Sequence, residues 1–85
     1  MKDVMIQLNS TNEIASFNKI ITKYECDFDL EVGHSYVDAK SLLGIYSLSL
    51  KRPMTLHIQA EDAMADEIIG ELSEFLYQGE LAVSF

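Results

Sequence analysis

Basic residues are scarce in this sequence of 85 residues. Six lysines and arginines stand against 14 aspartates and glutamates, so the formal net charge is −8. Nucleic acids and anionic membrane surfaces are bound by clustered lysine and arginine side chains, so we expect neither of them as a partner. The acidic excess is typical of a well-solvated protein surface, and it leaves a basic protein partner open.

Long apolar runs are also lacking. No run reaches the roughly 18 residues of a membrane-spanning helix, and the N-terminus has no basic stretch followed by an apolar one. We therefore expect a soluble, cytoplasmic protein. Apolar residues still make up 48% of the chain, which favours a single folded domain over residues 1–85.

Cysteine occurs once, at Cys26, so an internal disulfide is excluded. No histidine adjoins it, which favours a small buried side chain over a catalytic thiol. The sequence also lacks a glycine-rich phosphate loop and the histidine, cysteine and carboxylate spacings of metal sites. We predict no cofactor and no metal ion.

The patterns that are present alternate between strand and helix. Apolar and polar residues alternate over residues 4–8, 26–32, 35–38 and 54–60, which predicts four strands. Helical spacing follows Ser10, Ser41 and Glu61. The order βαββαβα predicts an α+β fold, an open-faced sandwich with a four-stranded antiparallel sheet and three helices on one face.

Two of the helices have clear signals. Ser10 and Glu13 have capping-box spacing, so the first helix begins there. Its buried stripe is predicted to consist of Ile14, Phe17, Ile21 and Tyr24. The last helix is predicted to end near Gly79 and to bury Met64, Ile68, Leu72, Phe75 and Leu76.

The stretch 37–48, VDAKSLLGIYSL, resembles the segment around the regulatory serine of HPr, the histidine-containing phosphocarrier of the bacterial sugar phosphotransferase system. That family carries Lys-Ser, two apolar residues, a Gly and a Ser-Leu pair. Their counterparts here are Lys40-Ser41, Leu42-Leu43, Gly44 and Ser47-Leu48. Lys23-Tyr24 fits the same pattern without a gap, and the resemblance implies the same βαββαβα sandwich.

The resemblance also implies that the phosphoacceptor position is degenerate. HPr has its acceptor histidine at the mouth of the first helix, in a Gly-[Leu/Ile]-His-Ala-Arg-Pro run. Ser10 falls at the His position, Asn12 at the Arg position and Glu13 at the Pro position, and no histidine precedes His34. A serine phosphoester is far more inert than a phosphorylated imidazole. We therefore predict that this helix mouth does not relay phosphate from enzyme I.

Ser41 is the candidate regulatory site. Residue chemistry alone favours a helix N-cap, since serine is a preferred capping residue. The resemblance implies a second role, because HPr kinase phosphorylates the matching serine and the product binds a transcriptional regulator of carbon catabolite repression. The same resemblance predicts a partner-binding surface formed by Lys40, Leu42, Leu43 and Tyr46.

Other polar residues receive ordinary interpretations. His34 and His57 are predicted to be exposed polar side chains, and Asp27, Asp29 and Glu31 a solvated strand edge. The leading hypothesis is a non-enzymatic regulatory or protein-binding domain, a monomer or weak dimer. The alternatives are a working phosphocarrier with an atypical acceptor, and an HPr-fold domain with an unrelated partner.

Overall fold

The computed structural model describes residues 2–46 and 52–77, without the side chain of Leu42. Its element order is the predicted βαββαβα. The elements are β1 (Lys2–Ile6), α1 (Thr11–Ile21), β2 (Asp27–Val32), β3 (Ser35–Asp38), α2 (Leu42–Tyr46), β4 (Met54–Gln59) and α3 (Asp62–Glu71), followed by a 3₁₀ turn over Ser73–Phe75. The predicted α+β open-faced sandwich is confirmed. Two predicted features, the Ser47-Leu48 pair and the Gly79 stop, lie outside the described residues.

The four strands form one antiparallel sheet in the order β1-β4-β2-β3. Strand alternation gives this sheet one apolar and one polar face. The apolar side chains of the strands and the inward stripes of the helices build one core. Its members are Ile6, Leu8, Ile14, Phe17, Ile21, Phe28, Leu30, Val32, Ala39, Ile45, Met54, Leu56, Ile58, Ala65, Ile68, Leu72 and Phe75.

Residues 75–77, at the C-terminal end of the described chain, pair with the outer edge of β1. Gln7 N donates to Phe75 O at 2.8 Å, and Tyr77 N donates to Met5 O at 2.9 Å. Ile6 and Leu76 form an isolated antiparallel bridge between these two contacts. The edge of β1 is thereby paired, which limits its use for pairing with another chain.

Strand order corrects one prediction about the acidic strand. β2 lies between β4 and β3, so Asp27, Asp29 and Glu31 belong to a central strand and not to an edge. They lie on the polar face of the sheet because Phe28, Leu30 and Val32 alternate with them into the core. The prediction of an edge was wrong because alternation fixes the face of a strand but not its neighbours.

The last helix differs from its prediction in two ways. α3 ends at Glu71, and a separate 3₁₀ turn carries Phe75 into the core. Met64 is 42% exposed, while its neighbour Ala65 is fully buried. The buried stripe therefore runs through Ala65, Ile68 and Leu72, and the prediction that Met64 belongs to it was wrong. No helix in the described part of the chain is long and apolar enough to cross a bilayer.

Candidate functional site

The mouth of α1 is closed by its own side chains. Ser10 is the N-cap, and its Oγ accepts a hydrogen bond from Glu13 N at 3.2 Å. The Glu13 carboxylate folds back and its Oε1 accepts from Asn9 N at 3.0 Å. The predicted cap is confirmed, with the carboxylate bonded one residue earlier than a capping box requires. Asn12 is exposed in the first turn.

These contacts decide the chemistry available at the α1 mouth. The side-chain oxygen of Ser10 already accepts a backbone N–H. Glu13, at the third helical position, adds a negative charge where free amides would otherwise attract an anion. The mouth therefore has no imidazole nitrogen, and a carboxylate lies against its backbone where a phosphoryl group would approach.

The mouth of α2 has the same cap without the carboxylate. Ser41 Oγ accepts from Gly44 N at 3.2 Å, and Ser41 O accepts from Ile45 N at 3.0 Å. Asp38 O in turn accepts from Ser41 N at 3.0 Å, which joins the cap to the end of β3. Ser41 is exposed, so its hydroxyl is within reach of another protein. The prediction that Ser41 caps this helix is confirmed.

The side chains of α2 divide between the core and solvent. Ile45 is fully buried, whereas Leu43 is 84% exposed and Tyr46 is 49% exposed. An exposed leucine and tyrosine one turn apart form a small apolar surface beside Ser41. Leu42 was also predicted for this surface, and its side chain lies outside the described residues.

Lys40 is directed toward the protein and not toward solvent. Its Nζ donates to Tyr24 O at 2.5 Å and lies 5.6 Å from the centroid of the Phe28 ring. Lys40 O accepts from Asn18 Nδ2 at 2.9 Å. These contacts tie the residue before Ser41 to α1 and to the segment that enters β2. The structure thus places Lys40 beside the α2 surface as its support, while Ser41, Leu43 and Tyr46 face outward.

His57 is the polar residue that sequence reasoning misjudged. It was predicted to be a simple exposed side chain, but the imidazole is only 20% exposed and lies between two carboxylates. Its Nδ1 is 2.7 Å from Asp3 Oδ1, and its Nε2 is 2.8 Å from Glu31 Oε1. The hydrogen bonds to Glu31 and then to Asp3 raise the pKa of His57, against a smaller opposing effect of burial.

Tyr36 is a further member of the polar face around His57. The Tyr36 ring stacks on the imidazole at a centroid distance of 6.0 Å. A hydrogen bond to Glu31 raises the pKa of the Tyr36 phenol. The only available signal was the alternation that places His57 on the polar side of β4. Its partners depend on strand neighbours that the sequence does not specify.

The remaining candidates are ordinary surface or core residues. His34 is exposed in the β2–β3 turn, and Cys26 is half-buried against the core just before β2. Within residues 2–46 and 52–77, no group of three histidine, cysteine or carboxylate residues is arranged to hold a metal ion.

Comparison with known proteins finds a matching family model and solved structures with a similar fold. A family model described as the phosphorylation site of the HPr component of the phosphotransferase system matches residues 11–78. The crystal structure of HPr-C-His from Thermoanaerobacter tengcongensis is similar, with a TM-score of 0.69 and 26% identity over 87% of this chain and 92% of that one. Among curated proteins, none matches the sequence with significance.

A second solved structure gives the same result. The phosphocarrier protein HPr from Bacillus anthracis str. Ames aligns with a TM-score of 0.67 and 25% identity, over 89% of this chain and 94% of that one. Sequence family, element order and sheet topology all agree. The chain therefore belongs to the HPr family and has the phosphocarrier fold of the phosphotransferase system.

Proposed function

We propose that this HPr family member is a regulatory or protein-binding domain that acts through Ser41 and the adjoining α2 surface, and that it does not relay phosphate. The observation that carries the proposal is the contrast between its two serine-capped helices. The α1 mouth is closed by Glu13, whereas the α2 mouth leaves Ser41 exposed beside Leu43, which is 84% exposed. The domain is not an enzyme in this proposal.

Relay through α1 is disfavoured by chemistry. A carrier must bind phosphate reversibly, which a neutral imidazole does and a serine hydroxyl does not. Ser10 occupies the acceptor position implied by the family pattern, and it precedes the residues 11–78 that the family model matches. A phosphoryl group arriving there would also meet the Glu13 carboxylate.

His57 is a poor substitute acceptor. Phosphorylation requires a ring nitrogen with a free lone pair, and both nitrogens of His57 lie within hydrogen-bonding distance of carboxylates. Asp3 and Glu31 would in addition repel an incoming phosphoryl group. His34 is exposed, so it is the histidine that remains open to an atypical acceptor role, the second candidate function.

The α2 surface has the features of a docking site. An exposed tyrosine is suited to anchoring a protein partner because its ring buries a large apolar area. The exposed Leu43 side chain adds further apolar area beside it. Phosphate on Ser41 would place close to two negative charges beside Leu43 and Tyr46. Because α2 has only five residues, that charge would act mainly by changing what the surface binds.

The central test is phosphorylation by HPr kinase and ATP, followed by mass spectrometry. We expect one phosphate on Ser41, its loss in Ser41→Ala and its retention in Ser10→Ala. Ser10 is the matched control because it caps its helix with the same hydroxyl contact, at 3.2 Å in both cases. Absence of any incorporation would instead favour an HPr-fold domain with an unrelated partner.

Enzyme I and phosphoenolpyruvate provide the opposite test. We expect no acid-labile phosphate on the purified protein, because no imidazole lies at the α1 mouth. Acid-labile phosphate on His34 or His57, with onward transfer to a transporter domain, would establish the alternative of a working phosphocarrier.

A further inference from the structure

His57 connects three adjacent strands on the open face of the sheet. It lies on β4, which pairs with β1 on one side and β2 on the other. Asp3 is its register partner on β1, with Oδ1 2.7 Å from Nδ1, and Glu31 on β2 has Oε1 2.8 Å from Nε2. Both ring nitrogens are therefore engaged at normal hydrogen-bonding distances.

Both strands that pair with β4 place carboxylates around the ring, and a tyrosine ring from β3 adjoins them. β1 contributes Asp3, β2 contributes Asp29 in register and Glu31 on the diagonal, and β3 contributes the Tyr36 ring stacked at 6.0 Å. Thr55 and Gln59, the outward neighbours on β4 itself, do not titrate. The imidazole is thus a basic side chain on a face where carboxylates predominate.

No basic side chain of the strands competes for these carboxylates. Lys2 is the sole lysine or arginine within β1, β2, β3 and β4. Its Nζ is 2.5 Å from Asp66 Oδ1 of α3, on the helix side of the sheet. Asp3 and Glu31 consequently depend on His57 for a positive partner from the described strands.

We propose that His57 is a doubly protonated imidazolium that ties β1, β4 and β2 together, and that loss of one proton opens this bridge. A carboxylate only accepts hydrogen bonds, so two carboxylate partners require both ring nitrogens to donate. The neutral ring keeps one N–H. Its other nitrogen directs a lone pair at the second carboxylate, and an attractive contact becomes a repulsive one.

The sign of the pH dependence follows from the direction of the pKa shift. The pKa of His57 is raised in the folded protein, first by Glu31 and then by Asp3. A group with a raised folded pKa contributes its full stabilisation below the unfolded value, about 6.5 for histidine, and loses it as the pH rises through the folded value. The sheet is therefore expected to weaken on moving from mildly acidic to mildly alkaline conditions.

An NMR titration of the folded protein tests the bridge directly. The ¹⁵N signals of His57 should show both nitrogens protonated at mildly acidic pH, and the midpoint of the titration should lie above the ordinary value of about 6.5. Glu31→Gln and Asp3→Asn should each lower that midpoint. A neutral tautomer at mildly acidic pH, or a midpoint at or below the ordinary value, would overturn the proposal.

Urea unfolding at several pH values tests the consequence for stability. The midpoint of the parent protein should fall as the pH is raised from about 5.5 to about 8.5, and His57→Gln should lose most of that dependence. The matched control is His34→Gln, which removes the exposed imidazole and should behave like the parent. If the urea midpoint fell equally with pH in the parent and in His57→Gln, the proposed bridge would be contradicted. If His57→Gln does not fold, the NMR titration of the parent protein tests the bridge instead.

Discussion

The N-termini of α1 and α2 are capped by a serine with the same hydrogen bonds, but their surfaces differ. In each, the serine Oγ accepts the amide three residues later at 3.2 Å, and the serine carbonyl accepts the amide four residues later, from Ile14 at 3.1 Å and from Ile45 at 3.0 Å. Both isoleucines are fully buried. The two mouths differ at the third helical position, which is Glu13 in α1 and Gly44 in α2.

That single position changes what each mouth offers. A glutamate there returns to the backbone and covers the N-terminus with a negative charge. A glycine has no side chain to return, so the cap hydroxyl of Ser41 stays exposed. Two serines can therefore cap their helices with the same hydrogen bond and still differ in accessibility. The capping hydrogen bond stabilises the helix, whereas the neighbouring side chains determine whether the helix N-terminus is accessible.

Removing the buried residue behind each cap should have the largest effect. Ile14→Ala and Ile45→Ala each delete a fully buried side chain and leave a cavity, which costs about 2–5 kcal/mol of the free energy of unfolding. Leu43→Ala is the control and should change that free energy by less than about 0.5 kcal/mol because Leu43 is exposed. Urea denaturation measures all three. If the free energy of unfolding fell by much less in Ile45→Ala than in Ile14→Ala, α2 would be packed less tightly against the core than α1.

Removing the caps themselves should have a moderate effect. Ser10→Ala and Ser41→Ala each lose one side-chain hydrogen bond to a helical amide, at a cost of about 1 kcal/mol. Thermal and urea unfolding of the two variants, with serine to threonine as the conservative control at each site, measure the loss. A cost well below this value at Ser41 only would show that the two caps are not equivalent in energy.

Replacing each capping serine by aspartate should have the smallest effect on stability. The effect should differ between the N-termini of α1 and α2 because only α1 has a carboxylate nearby. Aspartate is as good an N-cap as serine, so Ser41→Asp should be nearly neutral. Ser10→Asp introduces a carboxylate near Glu13, which costs a few tenths of a kcal/mol, about the size of a like-charge pair on a helix. The difference should shrink in high salt and in the background Glu13→Gln. Equal stability of the two variants at low salt would show that Glu13 does not charge the α1 mouth.

Much of the fold was predictable because short-range patterns encode it. Strand alternation placed Leu30 and Leu56 inside, helical spacing placed Phe17 inside, and both serine caps were read from residue type and spacing. Each of these depends on residues within one turn or one strand, where sequence neighbours are also spatial neighbours.

The wrong predictions concern residues whose surroundings are set by distant parts of the chain. Met64 and Ala65 both fit the helical spacing to Ile68, and only the packing of α3 against the rest of the protein buries Ala65 and leaves Met64 exposed. The sequence predicts His57 as a simple exposed side chain, but its ring nitrogens reach carboxylates that lie 54 and 26 residues away along the chain. Such contacts join elements whose packing is set by the whole core, so no local pattern reports them.

The element order, the caps at Ser10 and Ser41 and the lack of a histidine before His34 could all be read from the order of the residues. The position of β4 between β1 and β2 is visible only in the folded protein. The contacts of His57 with Asp3 and Glu31, which lie 54 and 26 residues away along the chain, follow from that position. The physical reason is that hydrogen bonding along the backbone and side-chain periodicity act over a few residues. Strand order is fixed by the burial of one shared core, to which every element contributes at once.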